Sequence, residues 1–107
     1  MLRYRNTRSH TFRYRQAPIL EQMAEVQNIV GPVIRELRDK KGLSQAQLVA
    51  KLNLMGWDLS RGTLAKIEAQ IRCVADYEIP ILAAGVGVEP SELLMKALAK
   101  FPRMKRM

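Results

Sequence analysis

The chain has 107 residues, of which 48% are hydrophobic, and it carries 18 basic against ten acidic side chains for a net charge of +8. This is enough for one small domain with a modest core, and it excludes a disordered charged tail. No apolar run approaches the roughly 20 residues of a membrane span, and the N-terminus lacks the apolar region of a secretory signal. The single cysteine, Cys73, excludes an internal disulfide and suits a reducing compartment. We therefore expect a soluble, cytoplasmic protein without a membrane partner.

The positive charge lies at the two ends of the chain. Residues 1–20 carry five basic residues and no acid, as do residues 96–107, whereas residues 21–95 hold eight basic and ten acidic residues. A basic protein suggests a polyanionic partner such as nucleic acid. Because the excess lies in the extensions, the total charge says little about the central part of the chain.

Residues 1–28 are predicted to form a basic arm. Residues 1–17 have no helical or strand period, and their arginines alternate with aromatic residues. This composition can lie along phosphates and stack on bases, or it can be a solvated extension. A translation start at Met23 would remove most of it from the natural protein. Apolar residues near helical spacing predict a short helix within residues 18–30.

Two helices with clear end signals follow. The first is predicted from Pro32 to about Lys41, because proline suits the first helical position and Gly42 supplies a left-handed stop. The second begins after Ser44, which forms an S-x-x-Q capping box with Gln47. We expect the apolar residues of these helices to be buried, with two alanines allowing close approach: Val33, Ile34, Leu37, Leu48, Val49, Leu52, Ala46 and Ala50. The charged residues of the first helix should face water: Arg35, Glu36, Arg38 and Asp39.

A connector over residues 53–59, with Gly56 as a turn residue and Trp57 and Leu59 packed, leads to a third helix. Ser60 is predicted to cap this helix, with Leu64 and Ile67 pointing inward. Its outer face should carry polar residues around a glycine: Arg61, Gly62, Thr63, Lys66 and Gln70. This contrast between the two faces is the strongest local signal in the chain.

Two further helices are predicted at the C-terminal side. Asp76 should cap a fourth helix, which Pro80 would disturb at about its fourth position and Gly85 would weaken further. A fifth helix should begin at Glu89-Pro90 and end at Phe101-Pro102. Since no segment alternates as a strand does, the sequence predicts an all-α fold.

The span from about Ile29 to Leu94 resembles the phage-repressor and Cro-like (XRE-like) helix-turn-helix family. The resemblance rests on IRELRDKKGLSQAQLVAKL (34–52), SRGTLAKIEAQIR (60–72) and LAAGVGVEPSELL (82–94). It implies a five-helix, lambda-repressor-like DNA-binding domain over residues 29–100, with a basic N-terminal extension and a basic tail at 101–107. The connector NLMGWDLS is longer than the tight turn of the shortest family members, and a longer connector changes the angle at which the third helix is presented to DNA.

The resemblance also implies DNA-binding roles for particular residues. Gln45, at a helix N-terminus, would anchor a phosphate. Arg61 would read guanine through its O6 and N7 atoms, or contact phosphate instead. Thr63 and Lys66 would contact phosphate or bases from the same face. The predicted DNA-binding residues are Gln45, Ser60, Arg61, Gly62, Thr63, Lys66 and Arg72.

Three members of this set have alternative interpretations. Ser60 would act as a cap first and a phosphate contact second. Gly62 would allow close approach of the backbone to DNA, or it is simply a poor helix residue that relaxes the packing. Arg72 would touch phosphate, or hold the loop by pairing with Glu68 or Asp76.

The sequence thus predicts a sequence-specific transcriptional regulator, most simply a repressor, that inserts helix 60–69 in the major groove of double-stranded DNA. The alternative is a protein-interaction or antitoxin-like accessory module with the same fold. A homodimer could form through the fifth helix at Leu94, Leu98 and Phe101. We predict no enzymatic activity, cofactor or metal, because His10 lies in the arm and Cys73 has no nearby base in the sequence.

Overall fold

The computed structural model describes residues 26–100. This part of the chain forms five α-helices, namely α1 Gly31–Lys40, α2 Gln45–Leu54, α3 Arg61–Glu68, α4 Ile79–Gly85 and α5 Pro90–Ala99. A single 3-10 turn, Asp76–Glu78, leads directly into α4. No strand occurs between residues 26 and 100, which confirms the all-α prediction for this part. None of its helices is long and apolar enough to cross a membrane.

All five helices contribute to one hydrophobic core. Helix α1 packs against α3 and α5, α2 packs against α3 and α4, and α4 packs against α5. Burying each large aliphatic side chain contributes about 1.5–3 kcal/mol. The fully buried residues are Val30, Val33, Ile34, Leu48, Leu52, Leu64, Ile67, Leu82, Ala83, Val86, Leu93 and Ala97.

The helix ends follow the local signals of the sequence. Gly42, two residues after the end of α1, has a φ of 71°, and Gly56, two residues after the end of α2, has a φ of 99°. The Ser44 hydroxyl accepts the backbone N–H of Gln47 at 3.0 Å, and the Gln47 side chain accepts the Ser44 N–H at 2.8 Å. Ser60 caps α3 by accepting the Thr63 N–H at 3.1 Å. The predicted stop at Gly42 and the predicted caps Ser44 and Ser60 are therefore confirmed.

Several packing predictions for α1 and α2 are wrong. Arg38 was expected to face water, but it is buried. Ala46 and Ala50 are exposed, and Val49 is only half-buried. The helix expected within residues 18–30 lies mostly outside the described residues, and its last five residues are not helical.

The start of α4 also differs from the prediction. Asp76 does not cap this helix; it opens the 3-10 turn, and Ile79 is the first helical residue. Pro80 therefore lies at the second position of α4, where its missing N–H removes no helical hydrogen bond. Gly85 is buried, and a Cβ at this position would lie 2.8 Å from Leu52 Cδ2. The glycine thus permits close packing of α4 on α2.

Candidate nucleic-acid interface

The orientation of α3 relative to α2 is held by the connector between them. Asn53, in the last turn of α2, donates from Nδ2 to the carbonyl oxygens of Trp57 at 2.7 Å and Leu59 at 3.3 Å. The side chain of Leu59 is buried in the core, and Trp57 packs at its edge. The long connector is therefore an ordered turn anchored at both ends.

One side of α3 is free of the rest of the domain. With about 100° between successive residues, Gly62 and Lys66 lie opposite the buried Leu64 and Ile67. Both outer residues are exposed, as is Arg61 on the flank of the helix. Thr63 is half-buried, and its hydroxyl lies 3.1 Å from that of Ser60. The structure thus brings Ser60, Arg61, Gly62, Thr63 and Lys66 together at and beyond the start of α3.

Gln70 does not belong to that outer face. It follows the end of α3 with a φ of 66°, a left-handed conformation that is uncommon for residues other than glycine. Its side chain donates to the backbone carbonyl of Asn28 at 3.0 Å. The prediction that placed Gln70 beside Lys66 is therefore wrong, because the helix ends at Glu68.

A buried ion pair joins the end of α3 to α1. Arg38 donates from Nε to Glu68 Oε2 at 2.8 Å and from Nη2 to Glu68 Oε1 at 3.1 Å. Its Nη1 donates to the Leu43 carbonyl oxygen at 2.8 Å. The hydrogen bonds that Arg38 donates to Glu68 raise the pKa of its guanidinium, although burial acts in the opposite direction. Such bidentate pairs have fixed geometry, so this one ties α3 to α1 at a defined angle.

The same carboxylate orients the predicted phosphate anchor. Gln45, the first residue of α2, donates from Nε2 to Glu68 Oε1 at 2.9 Å. Since an amide nitrogen carries two hydrogens, one N–H of this side chain is left to donate to another acceptor. Gln45 is therefore held in place by Glu68.

Between these helices lies an open cleft of about 530 Å³. Three helices contribute to its walls, and Arg61 of α3 lies on one side of it. Its lining residues are Arg35, Arg38, Ser44, Gln45, Ala46, Arg61, Ala65, Glu68 and Ala69.

The C-terminal end of α3 is closed by the segment that precedes α1. Asn28 donates from Nδ2 to the carbonyl oxygens of Ile67 at 3.0 Å and Arg72 at 2.9 Å. Its Oδ1 accepts the backbone N–H of Gly31 at 2.7 Å, which satisfies a free donor at the start of α1. Sequence analysis missed Asn28 because the two carbonyl groups to which it donates lie 39 and 44 residues away. This residue joins the start of one helix to the end of the other.

Arg72 lies outside the exposed face of α3. Its Nη1 donates to Glu78 Oε1 at 2.8 Å and to the Cys73 carbonyl oxygen at 2.8 Å. Its guanidinium carbon is 5.8 Å from the centre of the Trp57 ring, within the range of a cation–π contact. The prediction that Arg72 pairs with Glu68 or Asp76 is wrong, because Arg72 forms its ion pair with Glu78. Arg72 thus links the loop after α3 to both the connector and α4.

Glu78 is buried at the entry to α4 and gives the domain an acid-sensitive contact. Burial acts to raise the pKa of its carboxyl, but hydrogen bonds from Arg72 and the Ala75 N–H outweigh it and hold the pKa below its ordinary value near 4.5. A carboxyl whose pKa is lower in the folded state stabilises the fold above its unfolded pKa, and this contribution is lost as the pH falls through the folded pKa.

We expect Glu78→Gln to weaken the dependence of stability on pH below about pH 4.5. Urea denaturation at a series of pH values would give the free energy of unfolding for both proteins, and the difference between them should shrink as the solution is acidified. Glu89→Gln is the matched control, since Glu89 is exposed and its side chain makes no cap hydrogen bond. An unchanged difference between pH 7 and pH 3 would contradict the assigned role of Glu78.

Two capped helices joined by an ordered turn, with a free polar face on the second, define a helix-turn-helix DNA-binding domain. The family model HTH_3, described as helix-turn-helix, matches residues 34–93, which is more than half of the chain. The chain therefore belongs to this family of XRE-like, phage-repressor-like DNA-binding regulators, as its sequence predicted. Its matched domain is a regulatory DNA-binding domain and not a catalytic one. Comparison of the chain with curated proteins found no match, and comparison with solved structures also found none.

Proposed function

We propose that this protein is a sequence-specific transcriptional regulator, acting as a repressor, that inserts α3 in the major groove of double-stranded DNA. The observation that carries the proposal is the exposed face of Arg61, Gly62 and Lys66 on a helix that Glu68 fixes from the opposite end. A rigid helix with one free polar face is what direct reading of base edges requires. Family membership supports the same function.

The side chains of this face suggest a division of roles. Arg61 has the planar, two-pronged donor group that matches guanine O6 and N7. Lys66 carries a flexible point charge and is better suited to phosphate. Gly62 has open space where a Cβ would lie, its nearest neighbour being Ser60 Oγ at 3.7 Å, so it would let the helix backbone approach the bases closely. Gln45 would hold a phosphate with its remaining N–H.

We expect Arg61→Ala to reduce discrimination between preferred and scrambled duplexes by about 1–3 kcal/mol, since one bidentate base contact is worth that much. The preferred duplex would first be selected from a random pool. Mobility shifts of wild type and variant on both duplexes would then give the ratio of the two affinities. The side chain of Arg61 makes no hydrogen bond or ion pair with residues 26–100, so its removal should leave the fold unchanged.

Gln45→Ala is the matched comparison. It should weaken binding to both duplexes by a similar factor, because phosphate contacts carry no sequence information. If Gln45→Ala lost discrimination between the two duplexes and Arg61→Ala did not, Gln45 would be the base contact and Arg61 the phosphate contact. Equal binding of wild type to preferred and scrambled duplexes would contradict sequence-specific recognition itself.

We also propose that the regulator works as a homodimer in the cytoplasm. Exposed apolar residues on α5, Leu94 and Met95, support this, while Leu98 is half-buried and Phe101 lies outside the described residues. A dimer would prefer a palindrome with half-sites about one helical turn apart. Pool selection would reveal such a palindrome, and sedimentation of the free protein would give its oligomeric state.

A second candidate function is binding to a protein partner. Ile71 and Tyr77, in the segment between α3 and α4, are 65% and 74% exposed. Exposed large apolar side chains of this kind support a protein contact beside the DNA-binding face. Co-purification with a partner in the absence of DNA retention would favour this function over the first.

A further inference from the structure

One cation of the cleft has no assigned role. Arg35 lies on α1, one turn before Arg38, so the two side chains leave the helix on neighbouring faces. Arg38 is buried and held by Glu68, whereas Arg35 is exposed and lines the cleft. The side chain of Arg35 makes no hydrogen bond or ion pair with any residue between 26 and 100.

The charge of the cleft is therefore positive. Its lining includes one carboxylate, Glu68, and both oxygens of that group accept hydrogen bonds from Arg38, while Oε1 also accepts from Gln45. After this pairing, the remaining charged side chains of the lining are Arg35 and Arg61. Two like charges from two different helices face one open space, which favours an anion between or beside them.

We propose that Arg35 is a further DNA-contact residue, which binds a backbone phosphate at the edge of the groove that α3 enters. This inference rests on the proposed function, because it takes α3 as the groove-binding helix. A guanidinium suits this role, since it can make two charge-assisted hydrogen bonds to one phosphate. Helix α1 lies beside α3 and does not enter the groove with it, so its arginine meets the sugar–phosphate backbone. The DNA interface then extends over three helices.

The experiment measures binding of a random-sequence 20-base-pair duplex by fluorescence anisotropy at several salt concentrations. Arg35→Ala should bind about tenfold more weakly than wild type at 100 mM salt. The slope of log K against log salt should become shallower by about 0.9, the value for one lost phosphate contact. The same loss should occur on the selected preferred duplex, leaving discrimination unchanged. Arg35→Lys, which keeps the charge, should retain most of the salt slope.

Lys96→Ala is the matched control, because it removes one exposed cation from α5, which contributes no residue to the cleft. If Arg35→Ala changes affinity and salt slope no more than Lys96→Ala does, the inference is wrong. A change in discrimination for Arg35→Ala would also overturn it, since that would mean a base contact. Failure of wild type to bind any duplex would instead contradict the proposed function, so the two failures are distinguishable. Equal thermal unfolding of all the proteins would exclude a folding defect.

Discussion

Gly31→Ala is expected to lower the free energy of unfolding by about 3 kcal/mol, a large part of the stability of so small a domain. Gly31 is buried at the start of α1, and a Cβ there would overlap the carbonyl oxygen of Ile67. It would also lie 3.1 Å from the Cα of Glu68 and 3.0 Å from Asn28 Oδ1. Two of these three atoms belong to the backbone at the end of α3, so no rotation of a side chain can relieve the overlap. Helix α1 would have to move away from α3.

Urea denaturation followed by circular dichroism measures this effect, with Gly62→Ala as the control. Gly62 is also helical, but it is exposed, and a Cβ there meets nothing closer than Ser60 Oγ at 3.7 Å. Gly62→Ala should therefore leave stability unchanged or raise it by up to about 1 kcal/mol, because alanine is the better helix former. If Gly31→Ala and Gly62→Ala change the free energy of unfolding equally, the close approach of α1 to α3 does not require a glycine at position 31.

The features that could be predicted from the sequence depend on residues that are close together in the chain. Ser44 and Ser60 were identified as caps because a cap depends on residues three positions apart. The inward positions Leu64 and Ile67 followed from helical spacing. Such features are local, and the matched family pattern combines several of them in order. The fold could therefore be predicted almost entirely, apart from the start of α4.

Two of the errors share a physical cause, because they concern contacts between distant parts of the chain. Arg38 looks like a solvated helix residue until α3 brings Glu68 to it across thirty positions. Gly85 looks like a helix breaker until Leu52 packs on it. Pro80 was misplaced for a local reason, because the 3-10 turn before α4 moves the first helical residue to Ile79, two positions beyond the start that an Asp76 cap would give.

The candidate site also contains some features that could be predicted from the sequence and others that could not. The exposed positions Arg61, Gly62 and Lys66 follow from the helical period and stand together in the structure. The cleft beside them could not be predicted, since it forms where α1, α2 and α3 meet. The sequence predicted Glu68 or Asp76 as the partner of Arg72, but the 3-10 turn before α4 brings Glu78 to it instead. Residues that position the site are thus harder to predict than residues that line its exposed face.

Glu68→Ala is expected to cost about 3–5 kcal/mol, because it leaves the buried guanidinium of Arg38 without its ion-pair partner. Pairing with Glu68 offsets the free-energy cost of removing the Arg38 charge from water. In Glu68→Ala the guanidinium would still be buried, but the ion pair that offsets this cost would be gone. Gln45 would lose its hydrogen bond to the same carboxylate. Urea denaturation should show a much lower midpoint, and mobility shifts under folded conditions should show weaker binding to every duplex. Glu36→Ala is the control, since its ion pair with Lys100 is half-exposed and such surface pairs contribute little.

Replacing both partners separates the two roles of the ion pair. Arg38→Met combined with Glu68→Leu removes both buried charges together, and apolar residues of similar volume often replace such a pair without loss. The double variant should therefore recover most of the stability that Glu68→Ala loses. Its DNA affinity should stay reduced, because Gln45 would still lack the acceptor that orients its amide. If affinity returned together with stability, Glu68 would support only the fold, and the orientation of Gln45 would not depend on it.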